Sequence, residues 1–333
     1  MRRFLSTVAA AVAVPALVVL TLVDDPGSAA AASTKYQLVV EPVDKYQAIY
    51  QLINSATTSI NLTMYELTDT TAEADLAAAA ARGVTVRVIL DTNREKSHNQ
   101  AAYTYLAGHG VSVVWAPTTY AATHQKTLTV DGTTSAIMSG NLTSQYYSTS
   151  RDFAVMDENL IDIAAITKVF NADFAGAAIT PTDGDNLVWS PTDAQSKLLA
   201  LINGASATLS IENEEMADTT ITNALVAAAK RGVRVQVTMT ANSSYDPAFN
   251  QLVAAGAKVH LYSYSASLYI HAKVIDVDAA RASHRDYVGS INFSDYSMNR
   301  NRELGFITSD SVIDAGLDRT LSSDFAGGTN YTG

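Results

Sequence analysis

Two short segments of the chain carry the same unusual set of side chains. Each is His-x-Lys followed, after four intervening residues, by Asp: His124, Lys126 and Asp131 in HQKTLTVD, and His271, Lys273 and Asp278 in HAKVIDVD. On an extended strand, side chains two apart share a face, so each segment is expected to present an imidazole and an ammonium together. Two such pairs could enclose one phosphate. One imidazole would attack phosphorus, the other would protonate the leaving oxygen, and the lysines would neutralise the non-bridging oxygens, which is what phosphodiester cleavage without a metal requires.

The elements that position these groups come from an internal repeat. The stretch from Ile53 to Asn93 returns from Ile202 to Asn242 without a gap, so that Asp69, Leu76, Arg82, Gly83 and Val84 meet Asp218, Leu225, Arg231, Gly232 and Val233. Each copy reads as helix, strand, Ala-rich helix, Arg-Gly-Val turn and β-branched strand. A second helix, a strand and a loop then lead into the His-x-Lys segment. Beyond it lie AIMSGNLTS in one half and YVGSINFSD in the other, which place Asn141 and Asn292 downstream of the histidines. Eleven residues past each asparagine a carboxylate, Asp152 or Glu303, opens a further strand. The second half also carries an insertion, DAARASHRD, expected to be a hairpin loop.

Alternating strands and helices predict an α/β protein of two similar lobes, each a mixed β-sheet flanked by helices. A pseudo-twofold axis relating the lobes would bring their equivalent strands face to face and leave one site at the seam. With 333 residues, 47% of them hydrophobic, the chain can bury a large core. Its formal net charge of −11 disfavours a broad basic surface for nucleic acid but leaves room for a local basic pocket. The absence of cysteine excludes disulfides, thiol catalysis and cysteine-ligated metal. Residues 1–32, with two arginines, an apolar run and an Ala-rich tract, read as a cleaved export signal. The first lobe is then expected at 33–182 and the second at 183–333, in a secreted protein.

The paired motifs, the downstream Gly289, Ser290 and Asn292, and the repeat resemble the phospholipase D superfamily, the HKD phosphodiesterases, over almost all of the chain beyond the signal. One departure is Met138, where the family often has glycine; Ser139 and Asn141 still match. The resemblance implies the phospholipase D fold and a phosphohistidine intermediate. His124 would be the nucleophile and His271 the general acid and then base. Asp152 and Glu303 would orient the imidazoles. Lys126, Lys273, Asn141, Asn292, Ser139 and Ser290 would hold the phosphate, and Asp131 and Asp278 would secure strand ends and turns. No cofactor is implied. HExxH and HxHxDH-like metal clusters are absent and the motif lysines would repel a cation, so activity in chelator is expected.

The motif specifies a phosphodiester and little else. Phospholipid at a membrane or micelle surface is the leading substrate, because Trp115, Tyr120, Tyr262, Tyr264 and Tyr269 in the loops leading into both motifs suit a lipid–water interface. A secreted endonuclease, with tyrosines stacking on bases, is the alternative, and a catalytically inactive binding protein is the third reading. Transfer to an alcohol in place of water would use the same intermediate. Glu66 and Glu215, at equivalent points of the repeat, could line the site, whereas His98, His109, His260 and His284 read as ordinary surface or core residues. Both motifs lie in one chain, so no obligate protein partner is needed and a monomer is expected.

Overall fold

Helices, turns and strands follow the repeat closely in the computed structural model, which describes residues 35–333. The expected export signal lies outside the described residues. The first half contains β1 (Tyr36–Glu41), α1 (Gln47–Ser55), β2 (Ser59–Met64), α2 (Thr70–Ala81), β3 (Thr85–Leu90), α3 (Lys96–Gly108), β4 (Ser112–Trp115), β5 (Thr127–Val130), β6 (Thr134–Met138), β7 (Ser150–Asp157) and α4 (Leu160–Phe174). The second contains β8 (Leu187–Ser190), α5 (Ala194–Gly204), β9 (Thr208–Asn213), α6 (Thr219–Lys230), β10 (Arg234–Thr240), α7 (Asp246–Ala254), β11 (Lys258–Tyr262), β12 (Tyr269–Ile270), β13 (Lys273–Val277), β14 (Arg285–Gly289), α8 (Asp295–Asn299), β15 (Glu303–Thr308), α9 (Ser311–Gly327) and β16 (Thr329–Asn330).

Local chemistry explains the repeated boundaries. Asp69 and Asp218 cap α2 and α6, accepting from the amides of Thr71 and Ile221. Gly83 and Gly232 end the same helices at φ +91° and +93°, a region that an L side chain rarely adopts, which is why the Arg-Gly-Val turn carries glycine there.

Each half builds a mixed sheet. The first runs β1-β7-β6-β5-β2-β3-β4, and the second β16-β11-β10-β9-β13-β14-β15-β8. In both, the strands joined by helices are parallel and the strands that follow the motif form an antiparallel meander. Each half has its own core, centred on Leu62, Leu76 and Val88 in one and Ile211, Leu225 and Val237 in the other. A third core belongs to both. Phe153, Val155 and Ile166 pack there with Trp189, Val274, Leu304 and Phe306, so the two halves share one apolar core.

The halves also exchange backbone in a pseudo-symmetric way. Ile270 of β12 pairs with Arg151 at the start of β7, and Thr123 pairs with Arg302 just before β15. The same exchange recurs in side chains: Arg151 forms an ion pair with Asp324 of α9 at 2.5 Å, and Arg302 with Asp173 of α4 at 2.9 Å, all four buried.

Met138 is accommodated by a compensating change of volume. In the second half Gly289 and Gly305 lie against Tyr287, whose hydroxyl accepts from the Ile291 amide; a Cβ on Gly305 would come within 2.2 Å of that ring. The corresponding trio in the first half is Met138, Ala154 and Ala136, where the bulk has moved from the tyrosine to the methionine.

Candidate active site

His124 and His271 are not on the strands themselves. β5 begins at Thr127 and β13 at Lys273, which corrects the expectation of a His-x-Lys strand. The reason lies in their amides: His124 and Gln125 donate to the Arg302 carbonyl at 2.9 and 3.0 Å, and His271 donates to the Arg151 carbonyl at 3.2 Å. The backbone of each histidine is therefore held by the opposite half and not by its own sheet.

The side chains cross over as well. His124 Nδ1 lies 2.9 Å from Glu303 Oε2, and His271 Nδ1 lies 2.9 Å from Asp152 Oδ1. A carboxylate can only accept, so each Nδ1 carries the proton and each Nε2 is turned to the seam. Burial opposes ionisation of both carboxylates, yet their histidine partners and the motif lysines hold each below its ordinary range. For His124, burial and the charges of Lys126 and Lys273 push the imidazole pKa down against the pull of Glu303, which favours the neutral ring that a nucleophile must be.

Lys126 Nζ donates to the His124 carbonyl at 2.7 Å, and Lys273 Nζ likewise donates to the His271 carbonyl. Both lysines are buried. Burial, with Lys273 as a second cause, pushes Lys126 down to about 7. A cation destabilised in this way is a site waiting for an anion.

A carboxylate that was not anticipated occupies that position in the second half. Glu214 Oε2 lies 3.0 Å from Lys273 Nζ, 3.4 Å from Asn292 Nδ2 and 3.5 Å from His271 Nε2, while Oε1 accepts from the Tyr269 hydroxyl at 3.2 Å. Although burial opposes it, His271 and Lys273 hold Glu214 ionised well below the usual carboxylate range. Its counterpart in the repeat is Tyr65, whose ring meets His124 edge to face at 4.6 Å and lies 4.8 Å under Lys126 Nζ. The signal was present in the repeat, where Tyr-Glu at 65–66 faces Glu-Glu at 214–215. The expected Glu66 lines the adjoining cleft, together with Asn141.

Other expected residues are elsewhere. Ser139 donates to Asp152 Oδ1 at 2.6 Å and accepts from the Phe153 amide, and Ser290 bonds the backbone of Leu304; both are fully buried. Both hydroxyls are taken up by the carboxylate strands, which differs from the phosphate-holding role expected of them. Asp131 accepts from the amides of Thr57, Thr58 and Ser59, and Asp278 from those of Ser206, Ala207 and Thr208, so both motif aspartates close the turn between the first helix of their half and the next strand. Three of the aromatic residues are structural. Trp115 stacks on Tyr103, Tyr120 lies 4.3 Å from the Arg302 guanidinium, and the Tyr262 hydroxyl donates to the Asp324 carbonyl. Tyr264 and Tyr269 do line the cleft.

That cleft has a volume of about 470 Å³ and opens over His271. Tyr146, Tyr147, Tyr264 and Tyr269 line it with Glu66 and Glu214, and no lysine or arginine contributes. Tyr264 is 82% exposed and Tyr146 51%.

The model of the cardiolipin synthase, PLD-like domain matches the chain twice, over residues 49–175 and 198–325, one match in each half. Among solved structures, phosphatidylserine synthase from Haemophilus influenzae Rd KW20 superposes with a TM-score of 0.68 at 11% identity, over 89% of this chain and 87% of that one. Polyphosphate kinase from Porphyromonas gingivalis gives a TM-score of 0.69 at 14% identity, over 86% of this chain and only 46% of the kinase. Nuc from Salmonella typhimurium, a phospholipase D family member, aligns with 44% of this chain at 22% identity and a TM-score of 0.39. Comparison with curated proteins gives no match. The chain belongs to the phospholipase D superfamily, with two PLD-like segments in a single polypeptide. Members of this superfamily are phosphodiesterases and phospholipid-modifying enzymes.

Proposed function

We propose that the protein is a secreted phospholipase D-type phosphodiesterase that hydrolyses phospholipids to phosphatidic acid and the head-group alcohol, without a metal, through a phosphohistidine on His124. The observation that carries this reading is the cleft over His271, rimmed by exposed tyrosines and lined by carboxylates with no lysine or arginine. A nucleic acid strand needs counter-charges for its successive phosphates, and this lining supplies none. A lipid offers one phosphodiester, for which Lys126 and Lys273 suffice, and its interface suits exposed tyrosine.

In the first step His124 Nε2 attacks phosphorus while His271 protonates the departing alcohol oxygen. In the second, His271 removes a proton from water, which displaces the phosphatidyl group from His124. An acceptor alcohol in place of that water would give head-group exchange. Asn141 and Asn292 add donors to the oxygens that gain charge in each transition state.

The test is release of head-group alcohol from phosphatidylcholine and phosphatidylethanolamine vesicles in EDTA, run beside plasmid nicking in the same buffer. Lipid turnover lost in His124→Ala is the expected result. Nicking without lipid turnover would make the protein a nuclease instead, and binding with neither activity an inactive relative.

A further inference from the structure

The β13–β14 hairpin carries a second cluster of reactive groups, at the end away from Lys273. Asp276 and Asp286 are direct cross-strand partners, His284 stands in the inserted loop between them, and Asp314 projects from the first turn of α9. Asp276 and Asp286 are fully buried and Asp314 is 5% exposed. Among the described residues no hydrogen-bond partner reaches either carboxylate oxygen of Asp276 or Asp286, Oδ1 of Asp314 or Nε2 of His284. Burying so many charged acceptors without compensation is among the most costly arrangements a fold can hold.

The fold does not require it. The corresponding cross-strand pair in the first half is Thr129 and Ser135, whose hydroxyls bond each other at 2.8 Å. There the connecting loop is short, at 131–133, whereas the second half extends it over 278–284 and so brings in His284. Burial and the neighbouring Asp314 push Asp276 up to about 7, and burial with Asp276 pushes Asp286 up to about 9.

The orientation of His284 gives the cluster a purpose. Its Nδ1 lies 2.7 Å from the Arg281 carbonyl, which can only accept, so Nδ1 bears the proton and the buried Nε2 offers a lone pair. Metal-bound histidines are commonly held by such a bond on the other ring nitrogen. Asp314 is likewise fixed through Oδ2, which accepts from the Ala280 amide at 3.1 Å and leaves Oδ1 free. One donor atom from each of His284, Asp286 and Asp314 lies within 4.8 Å of the other two. One ion with bonds of about 2.0–2.2 Å spans that spacing after small side-chain adjustments.

We propose that His284, Asp286 and Asp314, with Asp276 beside them, form a structural site for a divalent transition cation, best matched by Zn²⁺. A mixed imidazole and carboxylate set fits zinc, whereas calcium prefers six to eight oxygens. The ion would tie α9 to the β13–β14 hairpin. Asp276 is about 10 Å along β13 from Lys273, so the ion is separate from the phosphate chemistry and its removal lowers thermal stability rather than turnover.

The experiment is calorimetric titration of chelator-stripped, full-chain protein with ZnCl₂, followed by thermal melting of wild type, His284→Ala and Asp286→Asn. Wild type should bind one equivalent and melt about 5 °C higher when free Zn²⁺ is 100-fold above its Kd. Both variants should lose that binding and that shift. Asp286→Asn should fold at least as well as the stripped wild type, because the amide can donate to the facing Asp276 carboxylate, which has no partner. Absence of binding by wild type would overturn the proposal. So would undiminished binding in both variants, which would direct attention to Glu66, Glu95 and His98.

Discussion

His124 and Glu303 are 179 residues apart in the chain and 2.9 Å apart in the structure. The symmetry-related pair, His271 and Asp152, repeats the relationship at 2.9 Å. Neither half can therefore orient its own imidazole. Glu303→Gln keeps the shape but can place an N–H against Nδ1, which favours the tautomer with its lone pair pointing away from phosphorus. Turnover of phospholipid vesicles should fall by about 10³-fold while vesicle binding is retained. Asp152→Asn should behave in the same way. A loss below tenfold in either variant would mean that the carboxylates do not set the tautomer.

The proposed order of the histidines rests on their surroundings. His124 is the more enclosed ring and is kept neutral by burial and the lysines, whereas His271 opens into the cleft through which an alcohol or water must pass. With bis(p-nitrophenyl) phosphate the leaving group needs no proton, so His271→Ala should still release one equivalent of nitrophenolate and then stall. Acid-labile phosphate should remain on His124, detectable by mass spectrometry of rapidly quenched protein. A burst in His124→Ala and none in His271→Ala would reverse the roles.

Why some of this was legible in the sequence and some was not has a physical basis. The repeat and the Gly83 and Gly232 turns depend on neighbours in the chain, and periodicity exposes them. The candidate site set could be read because its residue types recur at matched spacing. Which carboxylate serves which histidine could not, because the exchange between halves is set by the shared core around Trp189 and Phe153. The serines beside the motif asparagines depart from their expected role for a related reason. Ser290 and Asn292 follow the end of β14 at Gly289, where strand alternation no longer sets direction, so Ser290 turns into the β15 backbone while Asn292 reaches Glu214. Glu214 was missed because it breaks the repeat, its counterpart being Tyr65.

Lys126 gives the phosphate site a pH dependence with a definite sign. Burial, with Lys273 beside it, lowers its pKa to about 7, so above that pH the empty site holds it neutral and below it charged. An anion needs the ammonium. Affinity for sulfate, which does not titrate in this range, should weaken by up to about tenfold per pH unit above 7 and level off below it. Inhibition by sulfate measured from pH 5.5 to 9 checks this, and a flat profile would exclude Lys126 as the titrating ligand.

Glu214 should oppose the same anion. Its carboxylate already takes the donors of Lys273, Asn292 and Tyr269, and must rotate away or share them when a phosphodiester enters. Glu214→Gln removes that charge with little change of volume. Sulfate inhibition at pH 7 is expected to tighten by about tenfold, a fraction of the full Coulomb energy because the side chain is 25% exposed. Unchanged or weaker inhibition would mean that Glu214 helps to assemble the site instead of competing for it.

The ion pairs between halves connect stability to the site. Arg302 is fully buried, its Nε 2.9 Å from Asp173, and its carbonyl accepts from the amides of His124 and Gln125. Asp173→Ala would leave a guanidinium without its counter-ion in the interior, which costs about 3–5 kcal/mol. The Arg302 backbone would shift to let the charge reach water, and His124 would move with it. Chemical denaturation should register the loss of stability. Turnover well below the melting transition should fall in Asp173→Ala and be largely regained when Arg302→Met is added, because the double variant buries neither charge. If Arg302→Met fails to rescue either property, the pair acts through its geometry and not through the burden of an unpaired charge.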